Sequence, residues 1–107
     1  MTAGSGLVRG RIYYADLGHG EKPWLIVSNN GRNSRLDSAL AVRITTSDNK
    51  PELASIVELD AREVIVGRVL CDDVTLFYPE DVKRDGGALS PQAMMRVAVG
   101  LRSALAI

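Results

Sequence analysis

"SALAVRITT", residues 38–46, decides how this chain is read. Leu40, Val42 and Ile44 fall on one side of an extended strand and Ala41, Arg43 and Thr45 on the other, because strand side chains repeat every two residues. One side is wholly apolar, while the other carries a guanidinium and a hydroxyl. That pattern belongs to a strand with one face on a core. Upstream, "PWLIVSN" (23–29) is a continuous apolar run, consistent with a strand covered on both faces. Pro23 stands at its first position, where a missing N–H is tolerated. "RIYYADL" (11–17) is a β-prone first strand, and the Gly-punctuated "GHGEK" (18–22) joins the two. "NGRNSRLD" (30–37) is polar and turn-rich, with room for one helical turn.

Downstream, "TSDNKPEL" (46–53) reads as a loop. "ASIVEL" (54–59) and "VIVGRVLCDDVTLF" (64–77) supply two or three more strands, with Gly67 marking a bulge or bend. "YPEDVKRDGGAL" (78–89) reads as a return to the surface. The period then changes. In "SPQAMMRVAVGLRSALAI" (90–107), Ser90 is an N-cap and Pro91 the first helical residue. Met94, Val97, Ala98, Leu101, Ala104 and Leu105 recur at three- and four-residue steps. Five short strands and one long terminal helix predict an α+β fold, a small bent sheet or barrel with the helix packed on it.

The 107 residues fit one domain, 1–107, with residues 1–8 as a short flexible arm that lacks the apolar core of a signal peptide. At 46% hydrophobic residues the chain can bury a core without staples. The single Cys71 excludes a disulfide framework within the chain and a cysteine-based zinc site. No apolar run approaches the roughly 18–20 residues that span a bilayer. A soluble cytoplasmic protein with no membrane association is expected. Net charge is zero, but residues 1–50 carry seven Lys/Arg against four Asp/Glu, and residues 51–107 six against nine. A basic first half is suited to facing phosphates.

The usual catalytic constellations are missing. His19 is the only histidine, and no serine sits in a Gly-x-Ser-x-Gly turn. Asp72 and Asp73 are adjacent, so a regular strand points them to opposite faces and no metal is expected between them. No Gly-rich nucleotide loop is present, and Asp85-Gly86-Gly87 reads as a turn. The chemistry left is Arg43 and Thr45 on one strand face, with Lys22 beginning the neighbouring run. Taken alone, Lys22 also reads as a solvated strand-end lysine, Thr45 as a β-former and Asn29, Asn30 and Asn33 as turn residues. Spacing leaves both readings open.

The run "RGRIYYADLG…GEKPWLIVSNN…N…LAVRITT" resembles the MazF/PemK-type toxins of bacterial toxin–antitoxin systems. Arg9–Gly10, Ile12–Tyr13, Asp16–Leu17, Pro23, Ser28–Asn29 and Ile44–Thr45 match the family's opening pattern. "CDDVTLFYPEDV" loosely resembles a later strand, and "LSPQAMMRVAVGLRSAL" the closing helix. The resemblance implies an SH3-like β-barrel of the CcdB/MazF kind and a homodimer. It also implies sequence-specific cleavage of single-stranded RNA (messenger or transfer) without metal or other cofactor, and neutralisation by a cognate antitoxin with an acidic disordered tail. The family's catalytic Arg-Pro and Ile-Thr carry over to Lys22, in a Lys-Pro-Trp branch, and to Thr45. Arg11 replaces the usual acid after Arg-Gly. The expected RNA contacts are Arg11, Asn30, Arg32, Asn33, Arg35 and Arg43. In such cleavage the 2′-OH attacks phosphorus to leave a 2′,3′-cyclic phosphate and a 5′-OH. The protein must orient the nucleophile, stabilise phosphoryl charge and protonate the leaving oxygen. Two other readings are a CcdB-like gyrase-binding toxin without nuclease activity and a non-catalytic SH3-like binding module.

Overall fold

A computed structural model describes residues 4–47 and 51–107. It contains strands β1 (Arg11–Asp16), β2 (Glu21–Ile26), β3 (Ala39–Thr45), β4 (Ile56–Leu59), β5 (Gly67–Phe77) and β6 (Val82–Ala88). A single helical turn α1 (Asn30–Asn33) and a long terminal helix α2 (Pro91–Leu105) complete it. The strands form one antiparallel sheet in the order β4-β5-β3-β2-β1-β6. β4 and β6 each pair with one neighbour, so the expected barrel is not closed. The helix and five of the six strands fall in the segments where the sequence places them. β6 is a correction, because residues 78–89 were expected to be surface loop.

The sheet sorts its side chains by parity. Ile12, Leu25, Val27, Val42, Ile44, Val57, Val69 and Cys71 form one core with Ala93 and Val97 of α2. Tyr13, Ala15, Trp24, Ile26, Ala39, Ala41 and Phe77 form a second core on the other face, closed in part by Leu7. α2 starts where Ser90 predicts it: Ser90 Oγ accepts from Ala93 N at 3.1 Å. Glu63 supports the cap by accepting from Ser90 N and Oγ at 2.9 and 2.6 Å. The helix lies close on β5 because Gly100 has no side chain. A Cβ there would come within 2.8 Å of Cys71 Sγ. Burial beneath α2, reinforced by Asp72, pushes the Cys71 thiol up to about 11, so it is a packing residue and not a nucleophile.

The ladder between β3 and β5 breaks once. Val42 pairs with Val74 but Arg43 pairs with Leu70, which leaves Cys71, Asp72 and Asp73 without partners on β3. Such an insertion bends a strand and re-aims its side chains. Strict alternation is lost, and Asp72, Asp73 and Val74 are exposed in succession. The predicted irregularity at Gly67 is a separate feature. Gly67 opens β5 at φ +138°, where a Cβ would lie 2.5 Å from the carbonyl oxygen of Thr45. Of the segment expected to be a flexible arm, residues 1–3 lie outside the described residues. Ser5 N donates to Asn33 O at 2.9 Å, and Leu7 is 5% exposed. Among the described residues no helix is long and apolar enough to cross a membrane.

Candidate active site

Trp24 of β2 faces Arg43 of β3 in the last pair of their ladder. Two residues further along each strand, on the same face, stand Lys22 and Thr45, so the two candidate catalytic residues belong to one surface. The loop after β1 bounds this surface. Asp16 Oδ1 accepts from Gly18 N and Gly20 N at 2.9 and 3.1 Å, and those bonds hold its carboxyl below the usual carboxylate range. Opposite, the insertion in β5 brings Asp73 and Thr75 alongside. Leu17, His19, Gly20, Lys22, Trp24, Arg43, Asp73 and Thr75 thereby line a cleft of about 290 Å³.

Its hydrogen-bonding state sets this cleft apart. Trp24 Nε1 and Arg43 Nε are both buried donors without a partner, a condition that ordinarily costs about 1–3 kcal/mol each. Trp24 is 8% exposed, so its indole N–H has little access to bulk water. Neither Lys22 nor Arg43 makes a side-chain hydrogen bond or ion pair among the described residues. Two unengaged cations and two buried N–H donors on one wall suit an anionic or carbonyl-bearing ligand. The Thr45 hydroxyl accepts from Ser47 N at 3.1 Å, which leaves its own proton to be donated elsewhere. Thr45 is not among the cleft-lining residues and sits just beyond Arg43. A larger cleft of about 460 Å³ at the start of α2 differs, because its Glu63 is spent on Ser90 and its Arg62 on Asp60.

The other expected contact residues do not gather here. Arg11 Nε and Nη2 donate to the Asp85 carboxylate at 3.1 and 3.0 Å on the β1–β6 side. It stands four residues along β1 from Ala15, the partner of Lys22, or about 13 Å at strand rise. Asn30, Arg32, Asn33 and Arg35 follow the far end of β2. Asn30 Oδ1 accepts from Arg9 N at 2.8 Å. Arg32 Nη1 donates to Ser38 O at 2.8 Å and so ties α1 to the start of β3. Arg35 alone of these is exposed with its side chain unengaged among the described residues.

Asn33 is 1% exposed. It accepts from Ser28 Oγ at 2.6 Å and donates to Ser28 O at 3.0 Å, while Ser28 Oγ accepts from Leu40 N at 2.8 Å. Its amide therefore holds the β2–β3 connection and is closed to ligands. Asn33→Ala should lower stability by about 1–3 kcal/mol in a denaturant titration, because Ser28 loses its buried partner.

Sequence reading placed Lys22, Arg43 and Thr45 together and missed Trp24, Asp73 and Thr75. Trp24 carried a signal, since it lies at i+2 from Lys22. Asp73 carried an ambiguous one. Alternation counted from Val69 and Cys71 turns it to the other face and alternation counted from Thr75 turns it to this one, the insertion after Leu70 deciding between them.

Residues 8–105 match the family described as PemK-like, MazF-like toxin of type II toxin–antitoxin system. The chain is 33% identical over 100 residues to endoribonuclease MazF4 of Mycobacterium tuberculosis, covering 94% of this chain and 93% of that one. Endoribonuclease MazF1 of Mycobacterium bovis is similar to the same extent. A solved mycobacterial endoribonuclease in complex with its cognate antitoxin superposes with a TM-score of 0.89 at 32% identity, covering 95% of this chain and 97% of that one.

Proposed function

The chain belongs to the PemK-like, MazF-like toxins of type II toxin–antitoxin systems, and we propose that it cleaves single-stranded RNA in the cleft shared by β2, β3 and β5. The observation that carries this reading is the pair of unengaged cations, Lys22 and Arg43, beside buried donors that lack partners. A groove lined in this way is poised for a phosphodiester, whose non-bridging oxygens accept from both.

Lys22 and Arg43 hold the scissile phosphate and neutralise the charge that grows on its oxygens as the 2′-oxygen attacks. As the P–O2′ bond forms and the P–O5′ bond breaks, water takes the 2′-OH proton and returns one to the 5′-oxygen, which leaves as a hydroxyl. Thr45, whose oxygen already accepts from Ser47, donates a hydrogen bond to a phosphoryl oxygen. The products are a 2′,3′-cyclic phosphate and a 5′-OH. Arg35, exposed on the α1 side, meets more distant phosphates. The chain acts as a single-domain cytoplasmic toxin and as a homodimer. Its antitoxin inserts an acidic disordered tail over Lys22 and Arg43, excluding RNA by charge mimicry.

The test is cleavage of a single-stranded RNA with and without a chelator, followed by end-group analysis. Cleavage should be unchanged by the chelator and yield cyclic phosphate and 5′-OH ends. Loss of activity on chelation, or 5′-phosphate ends, would overturn the mechanism.

A further inference from the structure

The wall that carries Lys22 does not account for the whole cleft. Asp73 lies on the opposite side, exposed on the β5 insertion, with Thr75 two residues on. Among the described residues no ion pair joins Asp73 to Lys22 or to Arg43. A carboxylate repels a phosphate, so a pocket built for phosphate alone has no use for it. The lining is instead bipolar, with N–H donors from β2 and β3 on one side and carboxylate and hydroxyl acceptors from β5 on the other.

A nucleobase edge has that same division, and one base matches it best. A carboxylate accepts two parallel bonds only where two N–H groups are adjacent, as at N1–H and N2–H₂ of guanine. Adenine and cytosine place a ring acceptor beside their amino group, and uracil has a lone N–H between carbonyls. Guanine also carries O6 and N7 as paired acceptors, the usual partners of an arginine. Trp24 and Arg43 are partners across the ladder, and Trp24 Nε1 and Arg43 Nε both lack an acceptor. We propose that Asp73, the Nε–H of Arg43 and Trp24 form a guanine-reading pocket that sets the sequence preference of the cleavage reaction, with Asp73 the specificity-determining residue and the Nη groups of Arg43 left to the phosphate. The proposal rests on the cleft being the RNA site.

Trp24 is the only tryptophan of the chain, so its fluorescence reports occupancy of the pocket without requiring cleavage. The probe is a set of short 2′-O-methyl RNA pools, which cannot supply the attacking 2′-OH, each with one position fixed as adenine, cytosine, guanine, uracil or hypoxanthine. Wild-type protein should bind a guanine-fixed pool roughly tenfold more tightly than the others. Hypoxanthine, which lacks the 2-amino group, should lose most of that advantage. In Asp73→Ala, on an exposed site where folding is not at risk, guanine and hypoxanthine should bind alike. Equal binding of all wild-type pools, or a hypoxanthine penalty that survives in Asp73→Ala, would overturn the pocket while leaving RNA cleavage intact. Protein that neither binds these pools nor cleaves RNA would overturn the functional reading and this inference together.

Discussion

Lys22→Ala should lower RNA cleavage by roughly 100-fold or more while leaving the fold intact, the scale expected for loss of one group that stabilises the transition state. Lys22 is half-buried at the second position of β2 and makes no side-chain hydrogen bond or ion pair among the described residues, so its removal leaves no orphaned polar partner. Thr45→Ala should cost a similar factor, since the hydroxyl donates a hydrogen bond that alanine lacks. Lys22→Arg should retain partial activity, because the charge remains but the compact three-donor ammonium becomes a planar fork. Rates are compared at equal folded concentration under single turnover. Wild-type rates in both alanine variants would return Lys22 to the role of a solvated strand-end lysine.

Gly67→Ala should lower stability by at least about 3 kcal/mol, combining a backbone conformation reserved for glycine with a steric collision. The residue sits at φ +138°, and the added Cβ would press within 2.5 Å of the Thr45 carbonyl oxygen. Backbone, not a flexible side-chain tip, would have to yield. A change of that size corresponds to a fall in melting temperature of roughly 10–20 °C for a domain near this length. Whatever fraction folds should also cleave more slowly, because the strain falls on Thr45 itself. Gly100→Ala meets the side chains of Cys71 and Val57 first, and backbone only at 3.4 Å from the Ala54 carbonyl oxygen, and should be milder. Thermal melts of the two variants side by side decide the order.

The parts of the fold legible in sequence are those whose side chains are sorted by burial. β3 announced itself because Val42 and Ile44 are wholly buried on one face while Arg43 and Thr45 are partly exposed on the other. α2 announced itself through Ser90, Pro91 and its apolar stripe. β6 did not, because it is an edge strand whose Lys83, Arg84 and Asp85 face water, so no apolar alternation marks it. Its two glycines looked like a turn, yet Gly86 is there to let β6 approach Ile12 and Tyr14, where a Cβ would come within 2.8 Å. The candidate site was half legible for the same kind of reason. Arg43 and Thr45 share a face by parity, and Lys22 joins them through the family resemblance. The Trp24–Arg43 register and the insertion that swings Asp73 into the cleft are tertiary facts. Asn33 looked like a surface amide because its buried partner, Ser28, lies five residues away in a loop of unremarkable composition.

Chemical-shift mapping with a non-cleavable single-stranded RNA reads out whether RNA lies on the β2–β3–β5 cleft. The indole Nε1–H of Trp24 is a single resolved probe, being buried and unbonded in the free protein. Titration should shift that resonance strongly, together with those of Arg43, Asp73 and Thr75, and leave Asn33 unmoved. A titration that saturates with the Trp24 indole unshifted, and with perturbations confined to α1 or to the cleft at the start of α2, would place the RNA elsewhere and rule this cleft out.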